Sequence, residues 1–373
     1  MREDAADYQV RAISREYNWD MLRVLSDSPI ETPALDVVFD RRPDIFAVPR
    51  LFSDRIDCAG FFDGNRLVGF AMLLRQTRLV NGEPRPVFYF GGAHVRQEAR
   101  NRGFLYRTGR FLARGTRGEA ELGYAVVMAE NSAARKFIGA RRPDYPDLPH
   151  SKNVAVFRAK SVLVAGPRKE DRKYRVRRAG PDDVEAMVAL LRAEYRDRLF
   201  APVVDRDSFI ESLARRPGCG MDRHYVVVRN GEIVGTCAAW DAGSLKQTRI
   251  LRLGRKLRWL RAAHSAAADL LGFAPMPRLG MPTRDVTVCD CAARGRDPRV
   301  LRALLAAVHN ECARRRYNLM IVGACHGDPL FEAVRGFPGP STFSTVALFA
   351  WDPALLEEGR IDASLPFIDP VML

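Results

Sequence analysis

Apolar and polar positions along the chain change period several times, and each change marks an element. Tyr8-Gln-Val10-Arg11 alternates and predicts a short strand, and Trp19 to Leu25 returns to helical spacing. Gly60-Phe-Phe-Asp63-Gly64-Asn65 then turns into Arg66 to Leu74. Asp-Gly between two apolar runs predicts a hairpin, because both turn positions require positive φ. The β-branched and aromatic run Val87 to Val95 predicts a strand, Leu105 to Arg114 a helix, and Leu122 to Met128 another strand. The same order then returns. Tyr174-Arg-Val176-Arg177 begins a strand, Val184 to Tyr195 a helix, and Tyr225 to Arg229 turns at Asn230-Gly231 into Glu232 to Ala239. A strand over Asp285 to Cys291 and a helix over Val300 to Arg315, opened by Asp297-Pro298, follow. Asn318 to Val322, Leu330 to Phe337 and Phe343 to Trp351 predict a strand, a helix and a last strand.

The recurrence is a duplication. Tyr8-Gln-Val10-Arg11 and Leu67-Val68-Gly69 reappear as Tyr174-Arg-Val176-Arg177 and Ile233-Val234-Gly235, at one common spacing and in the same element order. Residues 165–173 are polar and rich in breakers, and form the linker. The expected units are therefore 1–164 and 174–373. The second carries an insertion near 241–282. Within it Ile250, Leu251, Leu253, Leu257 and Leu260 are expected along one side of a helix ringed by basic residues from Lys246 to Arg261. Such a helix covers its own domain with a solvated basic face, or lies on an anionic membrane or nucleic acid.

Composition narrows the class. The chain has 373 residues, 47% hydrophobic and 28% charged, which suits two soluble globular cores. No apolar run is long enough to span a membrane, and Met1-Arg-Glu-Asp is not the start of a signal peptide, so a cytoplasmic location is expected. Seven cysteines without a CxxC pair fit reduced thiols, and no metal is expected. Cys289 and Cys291 read as two strand residues on one face. The net charge of +14 points to an anionic partner, coenzyme A among the possibilities. No pattern for specific nucleic-acid binding is present, and the oligomeric state is left open.

The chemistry concentrates where the predicted strand Val87 to Val95 meets a basic loop and a helix. The stretch reads His94-Val95-Arg96-Gln97-Glu98-Ala99-Arg100-Asn101-Arg102-Gly103-Phe104-Leu105. Backbone N–H groups and the helix dipole can converge on an anion there, Arg100 and Arg102 can add charged hydrogen bonds, and Gly103 lets the backbone approach closely. This resembles the GNAT N-acetyltransferase superfamily, whose loop reads (Gln/Arg)-x-x-Gly-x-(Gly/Ala). Arg100 and Gly103 match; Leu105 departs, as in the enhanced-intracellular-survival type. Asn131 and Ala134, after the next strand, match the family's following motif.

The resemblance implies an α/β (α+β) chain of two GNAT-like domains, each a mixed, mostly antiparallel sheet flanked by helices. It implies acetyl-coenzyme A as co-substrate, held by Val95, Arg96, Arg100, Asn101, Arg102, Gly103, Phe104, Leu105 and Asn131. The acceptor is expected to be a small-molecule amine, with its pocket built from the stretch around Ile30 to Leu51 and from the insertion. The tyrosine that in the family protonates the leaving thiolate falls at Ile138, so the usual acid is missing. His94, Glu130 and Tyr145 are the candidate replacements, with Glu130 alternatively capping the following helix. The second copy has Ala292-Ala-Arg294-Gly295-Arg-Asp-Pro298 in place of the loop and is expected to shape structure or substrate rather than bind cofactor. The competing readings are a Fem-like or mycothiol-synthase-like tandem enzyme, and a non-catalytic acyl-coenzyme A sensor or scaffold.

Overall fold

The computed structural model describes residues 8–139 and 147–373. Along the first half run β1 (Tyr8–Ile13), α1 (Asn18–Ser26), β2 (Ile30–Glu31), β3 (Leu35–Asp40), β4 (Arg55–Asp63), β5 (Arg66–Val80) and β6 (Glu83–Val95). Then come α2 (Phe104–Arg114), β7 (Leu122–Met128), α3 (Ser132–Gly139) and β8 (His150–Leu163). The second half has β9 (Arg175–Arg178), α4 (Val184–Tyr195), α5 (Arg206–Arg215), β10 (His224–Arg229), β11 (Glu232–Trp240), β12 (Gln247–Leu253) and α6 (Arg255–Leu271). It closes with β13 (Asp285–Ala293), α7 (Pro298–Arg314), β14 (Leu319–Cys325), α8 (Pro329–Ala333) and β15 (Ser341–Ala350). No helix among the described residues is long and apolar enough to cross a membrane.

Twelve strands form one sheet in the order β1-β4-β5-β6-β7-β15-β8-β14-β13-β11-β10-β9. Most neighbours are antiparallel; β6 with β7 and β13 with β14 are parallel. The pairing repeats between halves: Gly69 on β5 faces Val95 on β6, and Gly235 on β11 faces Ala293 on β13. At the centre the halves exchange their last strands. β15 lies between β7 and β8, and β8 lies between β15 and β14. Neither β7 nor β14 keeps a bare edge there, so the exchange protects two strand edges at once.

Side chains alternate across the sheet. On β5, Phe70, Met72 and Leu74 pack with Met21, Leu22 and Leu25 of α1, while Ala71 and Leu73 pack with Phe104 and Leu112 of α2. In the second half Val286 and Val288 meet Val300, Leu304 and Val308 of α7, and Met187, Val188 and Leu191 of α4 cover the other face.

Two sequence-based readings of the second half need correction. Ile250, Leu251 and Leu253 do not lie on a helix; they belong to β12, which pairs with β3 in a separate sheet of order β12-β3-β2. An available partner edge on β3 overrides the local helical spacing, and the helix starts only after Gly254. α6 buries His264 and Ala268 and leaves Trp259 exposed among Arg255, Lys256 and Arg258. Cys289 and Cys291 do not share a face either. Asp290 between them has a φ of 50°, and this bulge sends Cys289 into a cluster with Trp240 and Val371 while Cys291 packs beside Val286 and Val288. No group of three or more His, Cys, Asp or Glu that could hold a metal occurs among the described residues.

Candidate functional site

β6 and β7 run parallel for only a short stretch, Val87 opposite Leu122 to Tyr89 opposite Tyr124. Beyond it they part. β6 continues along β5 as far as Val95, and β7 continues along β15 as far as Met128. The edge of β6 from Phe90 to Val95 therefore faces a wedge with no strand against it. Main-chain groups along this edge that β5 does not take can pair with an extended ligand carrying amides.

A bulge sits within that edge. The β5–β6 register shifts between Phe70 and Met72, and Gly92 takes a φ of 58°. Glycine adopts this without a Cβ penalty, and the irregularity turns main-chain groups out of the β5 ladder. The floor of the wedge is closed by aromatics: the rings of Tyr89 and Tyr124 lie 4.9 Å apart and those of Tyr124 and Phe200 4.3 Å apart. The Tyr124 hydroxyl donates to Gln76 Oε1 at 2.9 Å, which fixes it in this buried position.

The basic loop begins where β6 ends. Arg96 is its anchor: its N–H donates to the Val68 carbonyl at 2.9 Å, and its guanidinium pairs with Asp27 at 2.5 Å. The Val95 carbonyl accepts from the buried Ser28 hydroxyl at 3.1 Å. Arg100 and Arg102 are exposed, and their side chains make no hydrogen bond or ion pair within the described residues. Asn101 is exposed with a φ of 62°, and Gly103, at 77°, is the residue before α2. Gly103 has no side chain to cap the first N–H groups of α2, so they point into the loop with two free guanidiniums beside them. A Cβ there would meet only Arg107, at 3.6 Å, so the approach to the backbone is open. Phe104 is buried, its ring edge-on to Phe61, while Leu105 is half-buried at the start of the helix. Loop and helix start thus have the donors and the free positive charge that a diphosphate requires.

The remaining candidates differ in position. Asn131 caps α3: its Oδ1 accepts from the Ala134 N–H at 3.0 Å. Glu130 is exposed and contributes its carbonyl, not its carboxylate, to the turn before α3. The cap expected of Glu130 is therefore supplied by Asn131. Tyr145 lies outside the described residues. Ile138 is buried in the core beneath α2. His94 lies on the α1 side of the wedge, its ring 5.4 Å from that of Phe70. Burial, with the nearby Arg41 charge, pushes its pKa down to about 3. The imidazole is neutral at pH 7 and is a weak proton acceptor there.

Two basic residues absent from the sequence-based candidates line the same side. Arg41 follows β3 and Lys246 precedes β12, so the pairing of Asp40 with Gln247 brings them together at the end of the small sheet. Burial, helped by Arg41, pushes the Lys246 ammonium down to about 7. Lys246 donates to the carbonyls of Leu373 at 2.6 Å and Val371 at 3.3 Å and lies over the Phe39 ring. Both residues fall in the stretches expected to build the acceptor pocket, but no local pattern in the sequence singles out either one.

The second half has the same wedge, with different contents. β13 and β14 pair from Asp285 opposite Leu319 to Val288 opposite Val322 and then part. Residues Pro366 to Pro370 enter the gap, leaving a cavity of about 40 Å³. Its wall holds Arg198, which pairs with Glu194 and Asp328, all buried. Asp290 pairs with Arg216 at 2.7 Å and with His224 at 3.5 Å.

A parallel wedge with a bulged edge, leading into a basic loop at a helix N-terminus, defines the GNAT type of N-acyltransferase fold, here laid out twice. Solved structures agree. N-myristoyltransferase of Saccharomyces cerevisiae with bound myristoyl-CoA is similar over 94% of this chain and 80% of that chain, at 12% identity and a TM-score of 0.57. A GCN5-related glucosamine N-acetyltransferase region of a fungal multi-domain GH3 β-N-acetylglucosaminidase matches 92% of this chain and 38% of that chain, at 10% identity and a TM-score of 0.62. A GCN5-related N-acetyltransferase from Anabaena variabilis covers 92% and 73%, at 8% identity and a TM-score of 0.50. At such identities the likeness is one of fold. No protein-family model matches the chain, and no curated protein matches it in sequence.

Proposed function

We propose that the chain is an acyl-coenzyme A-dependent N-acyltransferase, that its first half alone binds the co-substrate, and that the acyl group is acetyl. The observation that carries the reading is the continuity of the open β6 edge with the Arg100 to Gly103 loop. One extended ligand with amides along its arm and a diphosphate at its end would satisfy both. Arg100, Arg102 and the N–H groups at the start of α2 would hold the diphosphate; the edge from Phe90 to Val95 would hold the arm. Bound there, acetyl-coenzyme A supplies an activated thioester.

The acetyl assignment rests on the floor of the wedge. Tyr89, Tyr124 and Phe200 fill it with buried rings, Tyr124 stacked on Phe200 and tilted against Tyr89. A long acyl chain would have to displace them. The restriction to one half rests on the second wedge, whose gap is filled by residues Pro366 to Pro370 and whose bulge carries a carboxylate. What the protein groups must then do is limited. They hold a neutral amine against the thioester and offer a main-chain donor near Gly92 to the carbonyl oxygen. The acceptor is a small-molecule amine that enters from the α1 side. Ile138 in the place of the family's tyrosine favours one competing reading, a protein that binds acyl-coenzyme A without turning it over.

Calorimetry with acetyl-coenzyme A, myristoyl-coenzyme A and coenzyme A tests the proposal. One acetyl-coenzyme A site per chain, with weaker binding of the long acyl form, is expected. Two sites or none would overturn it. Tight binding without thiol release against any amine would leave the sensor.

A further inference from the structure

On the α1 side of the first wedge, Arg41 forms no ion pair with a carboxylate side chain among the described residues. Arg41 stands at the end of the small sheet, opposite Lys246. It lies close enough to Tyr89, where the wedge opens, and to His94, beyond the bulge, for its charge to act on both. Its Nε is buried, and the residue as a whole is half-buried. Yet its Nε has no hydrogen-bond partner, and its terminal nitrogens form no hydrogen bond or ion pair with the described residues.

The neighbours show how unusual this is. Arg42 and Arg249 share Asp40, and Arg252 holds Asp36, so every other arginine of the small sheet is neutralised. Arg96 and Arg110 also have an unpartnered Nε, but each binds an aspartate through a terminal nitrogen, Asp27 and Asp147; Arg261, on α6 and away from the wedge edge, shares the unpartnered Nε. Asp285 and Asp369, whose charges reach Lys246, form no ion pair with Arg41. A half-buried guanidinium whose terminal nitrogens are open, beside the Lys246 amine, is placed to receive an anion. Its planar fork of N–H donors matches a carboxylate or a phosphate.

We propose that the acceptor amine carries an anionic group, carboxylate or phosphate, which Arg41 grips on the α1 side of the wedge with Lys246 beside it. The inference rests on the acyltransferase reading and names its substrate class. It also orients the acceptor: the anion is held on the small sheet, which leaves the amine end to reach the bulge at Gly92.

The test uses the full chain and matched pairs of acceptors. Amino acids and short peptides are compared with their amides, and phosphoethanolamine with ethanolamine, by release of the coenzyme A thiol. Anionic acceptors are expected to show kcat/KM at least tenfold above their neutral partners. Arg41→Gln should abolish that ratio, and Arg41→Lys should retain part of it. The carboxylate and phosphate arms identify which anion is taken. Neutral acceptors used equally well, or a ratio that survives Arg41→Gln, would overturn the proposal. Binding is measured separately, by calorimetry with an N-acetyl amino acid, its amide and phosphoethanolamine, on wild type and Arg41→Gln. Loss of anion binding in the variant supports the grip even if acetyl-coenzyme A fails to bind, the result that would remove the acyltransferase reading instead. No anion binding in the wild type, or unchanged binding in the variant, overturns the grip. Arg41→Gln should melt no lower than wild type, because it removes an unpaired charge; a residue kept for structure would show the opposite.

Discussion

Gly92 of β6 and Asp290 of β13 occupy equivalent bulges. Each precedes by the same distance the residue that faces the glycine of the neighbouring strand, Val95 opposite Gly69 and Ala293 opposite Gly235, and both have positive φ, 58° and 50°. The first bulge is bare backbone. The second bears a carboxylate locked by Arg216 and His224. Under the proposed function, a carbonyl oxygen gaining negative charge would be favoured beside the first bulge and repelled beside the second.

Gly103→Asp should abolish acetyl-coenzyme A binding. It sets a negative charge against a diphosphate, and at a φ of 77° it adds strain of about 1 kcal/mol. Arg100→Ala should cost roughly 1.5–3 kcal/mol of binding, the value of one charged hydrogen bond. Gly295→Asp, in the second half, should leave affinity unchanged. Calorimetry on the three folded variants decides; wild-type affinity in Gly103→Asp would remove the phosphate-loop assignment.

His94 gives a pH signature. Its pKa is depressed to about 3 in the fold, against 6.5 for an ordinary histidine. A depressed group contributes stability that is present above the ordinary value and lost as pH falls toward the folded one. Between pH 7 and 5 the wild type should therefore lose on the order of 1 kcal/mol through this residue. His94→Gln should flatten that part of the curve. Urea melts at both pH values measure it, and equal slopes in the two proteins would contradict the assignment.

Arg198→Ala should destabilise the protein by about 3–5 kcal/mol, because Glu194 and Asp328 would stay buried without their main counter-charge. Arg198→Ala with both carboxylates replaced by amides should recover much of the loss. Chemical denaturation of the two variants provides the comparison.

The strand exchange predicts how the halves unfold. Val346 is fully buried in β15, opposite Val126 of β7 and Ala155 of β8. Val346→Ala should cost about 2 kcal/mol. It should lower a single calorimetric transition for the whole chain, since β15 completes the sheet of both halves. Two separate transitions, one of them unmoved, would show that the halves fold apart.

Local chemistry made much of this legible in the sequence. Asp63-Gly64 and Asn230-Gly231 fix two hairpins, because few residues accept positive φ. The run from Val87 to Leu105 announces a strand, a basic loop and a helix start, because each depends on neighbours in the chain. What lies between distant segments was not legible. β12 became a strand because β3 offered it an edge, although its own apolar spacing suits a helix. β8 and β15 crossed between the halves because β7 and β14 each needed a partner, a need that no short pattern records. Arg41 reads like any other arginine of a basic chain. Only the fold shows that its neighbours bind carboxylates and leave it without one among the described residues, since whether a charge is paired is decided by what surrounds it.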